Sequence, residues 1–532
     1  MILRLLPPLL LLGAVGCSRD TFFQPDARVA YPAPLPPGAD SARVTAGRHY
    51  KHGPLHTLLL GPHYRQTWSQ PVTLPVFKPA TVVAGGLKFE KLGGGFQTTS
   101  MTLVDPSGRS YALRSIDKDP YKTLPKVLRQ GFILGTVRDA TSAGMPYGAF
   151  VVPPLAEAAG VLHTTPRPYY VRLDEQGLGQ ASERLQGDVV MLEDKFSNKN
   201  DRVDALREAE EFEESDVVLS ERYKNQKNRL DESAYLRARL LDLWIGDWDR
   251  HEGQWDWAAF AQPDGTRLWR PIPKDRDQVF FRFDDGLLSW VVSRIVPKFR
   301  TFGPHYQSIE GYTRNARFID ERALASMTEE AYLRTAKDLQ QRLTDDVIKQ
   351  AVRQGLPKEV YQREGARMEA NLRARRAQLP KAAQEFYRLQ AHRVVVPGSD
   401  QEERFVVERL NDTATVVSVY GQAKGGKDSQ GAPLLYQRRF NPRDTHTVVL
   451  HGLQGEDEFI VSGSVAKSPF IDIYGGPDED IVRDSSHVGG LRKKTRFFDT
   501  ARNNELIGGK ETKDRTEHSV VSHAFDRDGS GR

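Results

Sequence analysis

Segments in the first third of the chain alternate between apolar and polar residues, the spacing that is typical of β-strands. Two turns separate three of these segments: the glycine run Gly93 to Gly95, and the turn Asp105 to Gly108. Short turns between alternating segments are typical of antiparallel hairpins, so this region is predicted to be a sheet. The predicted strands cover residues 87–92, 96–104, 109–115 and 188–193.

Later segments have apolar residues at helical spacing. In the segment 233–245, Leu236, Leu240 and Leu243 lie on one stripe, and Gly246 is placed to end the helix. The charge-dense segment 200–230 is predicted to be a solvated helical face. The other predicted helices cover 123–143, 146–160 and most of 321–391, with Arg373, Arg375 and Arg376 on an exposed face.

From about residue 400 the chain consists of short strands and turns. Two similar acidic turns, Gly455 to Phe459 and Gly476 to Ile481, lie about a strand pair apart. Such a repeat predicts a small all-β domain or a short β-helix. The acidic turns either bind calcium or stay solvated, and two loose copies favour solvated turns. The predicted strands include Thr445 to Leu450, Phe459 to Gly463 and Phe470 to Tyr474.

Length and composition narrow the class of protein. A chain of 532 residues is too long for a single core and is expected to form several domains. Hydrophobic residues at 39% and charged residues at 27% describe a globular body, and no segment after the N-terminus is long and apolar enough to span a bilayer. The 75 basic residues nearly balance the 70 acidic ones, so we expect no nucleic-acid partner.

The N-terminus resembles a bacterial lipoprotein signal. Arg4 is followed by the apolar segment Leu5 to Leu12 and by the small residues Ala14 to Gly16, directly before Cys17. A lipid on Cys17 would hold the protein at a membrane surface; the alternative is an ordinary cleaved secretory signal. Cys17 is the only cysteine, so no intramolecular disulfide can form. The proline-rich residues 18–80 are predicted to be a tether and entry segment.

The segment Gly246 to Trp255 carries the strongest candidate chemistry. Asp249 and Gln254 lie five residues apart, the spacing at which kinase-like enzymes place a hydroxyl-orienting Asp and an amide ligand for magnesium. A predicted hairpin then leads to Asp275 and Asp277, which are candidate metal-binding carboxylates. The alternative is that Asp249 only pairs with Arg250 in the loop, with His251 a structural hydrogen-bonding residue.

Phosphate binding has candidates in the predicted sheet. Gly93, Gly94 and Gly95 would let backbone N–H groups approach phosphate oxygens, although a plain hairpin also uses glycine. On the third predicted strand Arg114 is placed to bind phosphates, and Lys118 is the second candidate. Arg114 as a surface ion-pair residue is the alternative.

Asp249-Arg250-His251, the amide at Gln254 and the segment Asp275 to Phe280 resemble the atypical kinase-like group. That group includes HipA-type kinases, phosphatidylinositol kinases, spore-coat CotH kinases and Golgi secretory kinases. The resemblance implies an α+β fold with a two-lobed protein-kinase-like domain. It also implies a catalytic Asp249, a metal site at Gln254 and Asp275, and the use of magnesium with ATP or another nucleotide. The strand ending at Glu193 would then receive the adenine.

A second set of motifs runs through the chain from about residue 60 onward. It comprises Gly93 to Gly95 with Gln97, Thr98 and Ser100, Leu113 to Ser115 with Lys118, Pro153 to Ala156, and Pro271 to Asp277. In these motifs the sequence more closely resembles large Bacteroidetes envelope lipoproteins, whose members often carry an outer-membrane β-barrel after the turn-rich domain. This resemblance implies a lipid-anchored protein of the cell envelope, at the outer membrane. It implies a protein or glycan acceptor and an outer-membrane β-barrel partner.

Two functions remain open at this stage. Gln254 stands where that group has Asn, Arg114 where Lys is usual, and only Asp139 and Glu157 offer an ion-pair acid on the nearby helices. The chain is therefore either a magnesium-dependent phosphotransferase acting on a hydroxyl or a degenerate kinase-fold binding module. The predicted domains are a signal (1–17), a tether (18–80), a sheet lobe (81–196), a helical lobe (197–395) and a β domain (396–532).

Overall fold

A computed structural model describes residues 22–93, 98–421, 432–500, 504–518 and 524–529. The predicted signal with Cys17 lies outside these residues, as do Gly94 and Gly95 of the glycine run. No helix in the described part of the chain is long and apolar enough to cross a membrane.

The entry segment is folded, and it is not the tether that its proline content predicts. Asp26 is buried and bonds the Arg28 guanidinium and the Tyr170 hydroxyl, which lies on the sheet lobe. Trp68 is also buried and joins the main core. The prolines form local turns in this segment, and the buried side chains between them attach it to the rest of the protein. Its elements are β1 (Ser41–Val44), α1 (Pro54–Leu60), α2 (Arg65–Trp68) and β2 (Val72–Pro75).

The first lobe is a five-stranded antiparallel sheet in the order β3-β4-β5-β7-β6, with its own core that includes Leu103, Leu113 and Leu192. The alternating segments predict four of these strands to within a few residues, and the strand at Arg167–Tyr170 is not predicted. We call this unit the sheet lobe. Its strands are β3 (Lys88–Gly93), β4 (Ser100–Val104), β5 (Ser110–Ser115), β6 (Arg167–Tyr170) and β7 (Val189–Asp194).

The predicted helix 123–143 is wrong over its first half. Pro125 is extended and Gly131 has φ +58°, so the backbone cannot form one continuous right-handed helix there. Two short 3-10 turns precede the true helix instead. The helices of this region are α3 (Gly131–Asp139) and α4 (Val152–Ala159).

The charged segment 200–230 is not a single helical face. Glu211–Glu214 forms an edge strand that pairs with the Trp255–Ala261 strand, and Phe212 packs into a small core beneath it. Glutamate-rich sequences disfavour strands, so only Phe212 signals the pairing. The elements are β8 (Glu211–Glu214), α5 (Ser215–Lys224), β9 (Asn228–Leu230), α6 (Glu232–Ile245), β10 (Trp255–Ala261) and β11 (Arg267–Pro273).

The helical lobe packs around α6. Its Leu236, Leu240 and Trp244 are fully buried, and Gly246 ends it in the left-handed conformation at φ +73°. The predicted helix and its end are therefore confirmed. The later helices are α7 (Leu287–Ile295), α8 (Ile309–Thr313), α9 (Arg317–Ala323), α10 (Glu329–Arg342), α11 (Asp345–Gly355), α12 (Lys358–Val360) and α13 (Ala366–Ala391).

The last part, which we call the β unit, contains two sheets of stacked strands around a core of residues such as Phe405, Phe459 and Ile471. One sheet is wholly parallel, and three parallel pairings run through the other, as in a short β-helix.

The strands of the first sheet are β12 (Arg393–Pro397), β16 (Thr447–His451), β19 (Phe470–Tyr474), β22 (Thr495–Phe498) and β24 (Thr512–Asp514). Those of the second are β13 (Glu403–Asn411), β14 (Ala414–Gly421), β15 (Leu434–Phe440), β17 (Glu458–Ser462), β20 (Ile481–Asp484) and β23 (Glu505–Gly508). A small pair comprises β18 (Ser464–Val465) and β21 (His487–Val488).

The acidic turns of the β unit are only partly solvated. Glu456 and Asp478 are exposed, but Asp457 and Asp480 are each 1% exposed. Each buried carboxylate accepts a backbone N–H from the neighbouring coil, because parallel stacking places equivalent turns on top of one another. The predicted class, an α+β two-lobed domain followed by a β unit, is confirmed.

Candidate functional site

The hairpin β10–β11 brings two loops side by side. The Lys274 amide donates to the Gln254 carbonyl at 3.0 Å, and the Arg250 Nη1 donates to the Lys274 carbonyl at 2.8 Å. Lys274 is thus hydrogen-bonded to the Asp249 loop at both its amide and its carbonyl, and Asp275 is the next residue along the chain. The seven paired residues of the hairpin, from Trp255↔Pro273 to Ala261↔Arg267, set this register.

A buried charge network holds the loop that carries Asp249. The Arg250 side chain is fully buried and lies 3.3 Å from Asp242 and 3.7 Å from Asp247. The Arg276 guanidinium also bonds Asp242 and lies 3.2 Å from Asp247. Because Arg276 lies between the two candidate metal carboxylates in sequence, this network joins both loops to α6. The alternative of a loop ion pair between Asp249 and Arg250 is therefore wrong, because Arg250 pairs with Asp242 and Asp247.

The Arg375 guanidinium hydrogen-bonds the C-terminal end of α6. The sequence predicts it on an exposed face, but it is fully buried and donates to the carbonyls of Leu243 and Trp244 at 2.6 and 2.8 Å. A cation at a helix C-terminus satisfies carbonyls that have no partner within the helix. The clustering of Arg373, Arg375 and Arg376 hides this role, because only one of the three points inward.

Cations of the sheet lobe meet the carboxylates that follow β11. The Arg114 Nη1 lies 2.7 Å from Asp275, and the Lys118 ammonium bonds Asp277. Burial opposes the charged form of Arg114, but Asp275 and Glu193 outweigh it and raise the pKa of the guanidinium. Gly93 ends β3 opposite Ser100, which pairs with Arg114 across β4 and β5.

Asp275 and Asp277 form a coupled carboxylate pair. Burial opposes ionisation of Asp275, but Arg114 and Lys118 outweigh it and hold the pKa of Asp275 below its usual range. Burial, and then the charge of Asp275, raises the pKa of Asp277 to about 8. Asp275 has a left-handed backbone at φ +56°, and its buried Oδ1 has no hydrogen-bond partner among the described residues. A buried acceptor of this kind fits a cation ligand.

Gln254 is buried on the same side. Its amide nitrogen lies 3.2 Å from the His251 Nε2, while the His251 Nδ1 accepts from the Gly253 amide at 3.1 Å. No described donor reaches the Gln254 Oε1, so this oxygen is a second acceptor available to a metal. A neutral His251 that accepts at Nδ1 carries its proton on Nε2, which would favour the opposite amide orientation. The metal role of Gln254 therefore depends on the His251 tautomer.

Asp249 has two neighbours that the sequence does not indicate. The Asn315 amide donates to the Asp249 Oδ1 at 2.6 Å, and the Lys298 ammonium lies 3.4 Å from the Asn315 Oδ1. Burial lowers the pKa of Lys298, which also lies over the Trp248 ring at 4.6 Å. Asn315 orients one carboxylate oxygen, which leaves the other for a substrate proton. Sequence separation hides both contacts.

After Asp275, the second acid beside Arg114 is Glu193, and no residue of the nearby helices takes this position. The Glu193 carboxylate is 2% exposed, lies 3.9 Å from the Arg114 Nε and accepts from the Thr164 hydroxyl at 2.5 Å. Asp139 pairs with Arg65 instead, at 2.6 Å, and Glu157 is exposed. The Glu193 side chain thus faces the cation, so its predicted adenine contact can only come from the backbone of β7.

A separate cluster has metal-ligand character. His52, His56 and Asp139 place one ligand atom each within 4.8 Å of one another. Both histidine Nε2 atoms lie close to the Asp139 carboxylate, at 3.1 and 3.2 Å. Arg65 already binds both oxygens of Asp139, so an added cation would compete with a guanidinium. The cluster is best described as an ion-pair group.

A cavity of about 410 Å³ lies between the helical lobe and the β unit. Its lining includes Arg222, Glu232, Glu403 and Tyr436, and none of the candidate site residues. It is therefore separate from the chemistry around Asp249.

No protein-family model and no curated protein matches the sequence. The solved structures that align with part of the chain include three kinase-like proteins. The Helicobacter pylori proinflammatory kinase CtkA aligns at 11% identity and TM-score 0.27, covering 56% of this chain and 94% of that one. The Shewanella oneidensis HipA in complex with HipB and operator DNA gives 11% and 0.24, covering 55% and 66%. The Chaetomium thermophilum Rio2 kinase complex with ADP/Mg²⁺ and phosphoaspartate gives 15% and 0.19, covering 48% and 70%. These TM-scores are too low to support a functional assignment, which depends on the site itself.

Proposed function

We propose that the chain is a kinase-like phosphotransferase that moves a phosphoryl group from a magnesium-bound nucleotide, such as ATP, to a hydroxyl acceptor. The observation that carries the proposal is the meeting of two cations from the sheet lobe with two carboxylates from the loop after β11. The Arg114 guanidinium pairs with Asp275, and the Lys118 ammonium pairs with Asp277. Both acids follow Lys274, whose carbonyl accepts a hydrogen bond from Arg250 of the loop that holds Asp249.

These ion pairs match what a metal nucleotide needs. Phosphate oxygens prefer Arg and Lys, and magnesium prefers carboxylate and amide oxygens. Arg114 and Lys118 would bind the phosphates, while Asp275 and Asp277 would hold the metal. The Gln254 oxygen would join them in the His251 tautomer that accepts at Nε2. Magnesium would neutralise charge on the transferred group. Without a nucleotide, Arg114 and Lys118 are neutralised by Asp275 and Asp277. When a metal nucleotide binds, its phosphates would take the place of the two acids beside the cations, and its metal would take the place of the two cations beside the acids.

Asp249 supplies the acid–base group. In the transfer, the acceptor oxygen forms a bond to the terminal phosphorus, and the bond from that phosphorus to the bridging oxygen breaks to release the nucleoside diphosphate. The acceptor proton passes to the free oxygen of Asp249, while Asn315 holds the other oxygen. Asn315 is a positioning residue in this scheme.

The site test uses matched carboxamide variants of the full chain. We expect Asp275→Asn to lose magnesium-dependent nucleotide binding, measured by calorimetry. We expect Asp249→Asn to keep that binding and to lower phosphoryl transfer by about 10²–10⁴-fold, the usual contribution of a positioned base. Asp264→Asn, in the exposed turn of the β10–β11 hairpin, is the control and should match the parent.

Equal metal-dependent binding by the parent and Asp275→Asn would refute the metal site. Binding that needs Asp275, without transfer to any hydroxyl, would show the degenerate binding module instead. Both outcomes are read from the same purified variants.

We also propose that Cys17 carries lipid and that the protein acts in the cell envelope, at the outer membrane, on a protein or glycan hydroxyl. The support is the apolar segment and small residues before the only cysteine of the chain. Cys17→Ser should move the protein from the membrane fraction to the soluble fraction and remove incorporation of labelled fatty acid. Fatty-acid labelling that survives the substitution would refute this assignment.

A further inference from the structure

Two short helices carry a concentration of exposed apolar side chains. Of the 24 exposed large hydrophobic side chains in the described residues, nine lie on α1 and α7. Leu55 and Leu58 of α1 are 70% and 60% exposed, and Ile295 of α7 is 75% exposed. Contiguous apolar surface of this kind is uncommon on soluble proteins and marks an interaction site.

Helix α7 is oriented opposite to an ordinary surface helix. Its buried residues are Ser289 and Ser293, whereas Leu287, Trp290 and Val291 point outward. The Ser289 hydroxyl donates to the carbonyl of Gly286, the residue before the helix, and the Ser293 hydroxyl donates to the Trp290 carbonyl, so both buried hydroxyls have a partner. A helix that buries its small polar residues and exposes its large apolar ones gains little from folding alone. A partner surface that covered the outer side would bury these apolar side chains.

The two helices form one surface. The residues that end α1 and precede α7 touch: a Cβ on Gly286 would lie 2.2 Å from the Gly61 amide nitrogen. His63, just after α1, bonds Asp285, just before α7, through its Nδ1 at 2.6 Å. We call this surface the α1–α7 face.

We infer that the α1–α7 face binds a lipid surface. Neither helix contains an acidic residue, and α7 carries Arg294 with its guanidinium 4.7 Å over the Trp290 ring. Apolar side chains with an interfacial Trp and a basic residue are the composition of helices that lie in a membrane surface. The acids just before α7 are neutralised, with Asp285 2.7 Å from Arg282.

The path of the chain favours the same occupant. Phe22 packs on His49 with ring centroids 5.1 Å apart, and the Arg138 guanidinium lies 4.9 Å from the Phe22 ring. The next residue, Asp139, contacts His56 of α1 at 3.2 Å. Five peptide units span at most about 18 Å, so a lipid on Cys17 would enter the bilayer near this face. This step depends on the proposed lipid, whereas the exposed face does not.

The test exploits the single cysteine of the chain. In a full-length Cys17→Ser background, which removes both the lipid site and the native thiol, Leu58→Cys or Ile295→Cys carries a nitrobenzoxadiazole label. Leu491→Cys is the matched control, because it is exposed and lies in the β unit. With vesicles of phosphatidylethanolamine and phosphatidylglycerol, we expect the face labels to shift to the blue and to be quenched by spin-labelled lipid. The control label should do neither.

A second variant pair tests the energetics. Val291→Asp with Ile295→Asp should weaken vesicle binding at least about tenfold, since two apolar side chains are lost from the interface. Leu410→Asp with Leu491→Asp should leave binding unchanged.

Three results would overturn the inference. Vesicle binding without any shift of the face labels would mean that the N-terminal segment binds alone. A blue shift that rises with protein concentration and needs no lipid would mean that a second copy covers the face. No vesicle binding in any form would exclude a lipid surface. Nucleotide binding is read separately on the same samples, so failure of the proposed phosphotransferase would not be confused with failure of this inference.

Discussion

Two groups of buried carboxylates in this chain are stabilised in opposite ways. Asp242, below the Asp249 loop, is fully buried and contacts three guanidinium groups. Asp457, in the β unit, is equally buried but lies near other acids, and no described Lys or Arg is within ion-pair distance of it. The first site keeps a charge by pairing it. The second holds an acid whose burial raises its pKa and so favours the neutral form.

The pKa shifts follow from these surroundings. Burial opposes ionisation of Asp242, but Arg276, Arg250 and Arg239 outweigh it and lower the pKa of the carboxyl. Burial raises the pKa of Asp457 well above its usual value and that of Asp480 to about 8. The backbone bonds that Asp457 and Asp480 accept are too few to offset the loss of water.

The two groups therefore give opposite pH dependences. A depressed pKa at Asp242 stabilises the fold above the unfolded value of about 4 and is lost as the pH falls below it. Raised pKa values in the β unit stabilise the fold at low pH, and this contribution is lost as the pH rises towards 8. The helical lobe and the β unit should then respond differently to one pH titration.

The largest effect is expected from Asp242→Asn. It leaves three buried guanidinium groups short of one negative charge, which typically costs about 3–5 kcal/mol. Urea unfolding followed by tryptophan fluorescence of the helical lobe measures the loss. Asp338→Asn, in a pair that is one-third exposed, is the control and should cost less than about 1 kcal/mol. A small effect at Asp242 would mean that the network is not what holds the loop.

Raising the pH from 5 to 8 should lower the free energy of unfolding of the β unit by on the order of a few kcal/mol. The reason is that Asp480 and its neighbours must ionise in the unfolded chain but resist ionisation when folded. Hydrogen exchange read by mass spectrometry reports each region separately. Faster exchange of β-unit peptides at pH 8 than at pH 5, after correction for chemical exchange, is the expected result. Uniform protection at both pH values would contradict it.

Asp457→Asn should stabilise the β unit by at least about 1 kcal/mol more at pH 8 than at pH 5, because the cost of keeping Asp457 neutral grows with pH above the unfolded pKa of about 4. The carboxamide keeps the acceptor for the Glu403 amide, a 2.7 Å bond, and removes the group that resists ionisation. Asp242→Asn should be destabilising at both pH values. The two substitutions make the same chemical change, so the difference in their effects reports whether the buried acid is paired with cations. A loss at pH 8 would show that Asp457 is charged in the fold.

Arg114→Lys should have the smallest effect on stability, within about 1 kcal/mol, because its pair with Asp275 is partly exposed on both sides. Its effect on nucleotide affinity should be larger, since a lysine cannot contact Asp275 and Glu193 together or chelate a phosphate through two donors. Thermal unfolding and calorimetry on one preparation separate the two. An unchanged affinity would remove Arg114 from the proposed phosphate site.

Local patterns carried much of the fold. The alternation in 87–115 and the helical stripe before Gly246 each depend on near neighbours, and both match the structure closely. The hairpin after Trp255 likewise places Asp275 next to the Asp249 loop, because its register follows from a short turn. Whether these residues form a working site stays a prediction.

Contacts between distant residues could not be inferred. Asn315 lies 66 residues beyond Asp249 and has no motif around it. Arg375 reaches carbonyls 131 and 132 residues away, and the second acid beside Arg114 is on another strand rather than on a helix. Asp457 is buried because the parallel strands of the β unit stack its turn against the neighbouring turns. The sequence of a single turn does not specify this stacking. In each case the partner is set by tertiary packing.

The double hydrogen bonding of Arg250 has a practical consequence for engineering. Its guanidinium donates to the Gln254 and Lys274 carbonyls, so the shape of the Asp249 loop depends on its own buried Arg250, whose charge is balanced by Asp242 of α6. A graft of Gly246 to Trp255 onto a foreign scaffold would lose its geometry unless Asp242 and Arg276 were transplanted with it. The smallest transferable module is therefore a helix, a loop and a hairpin together.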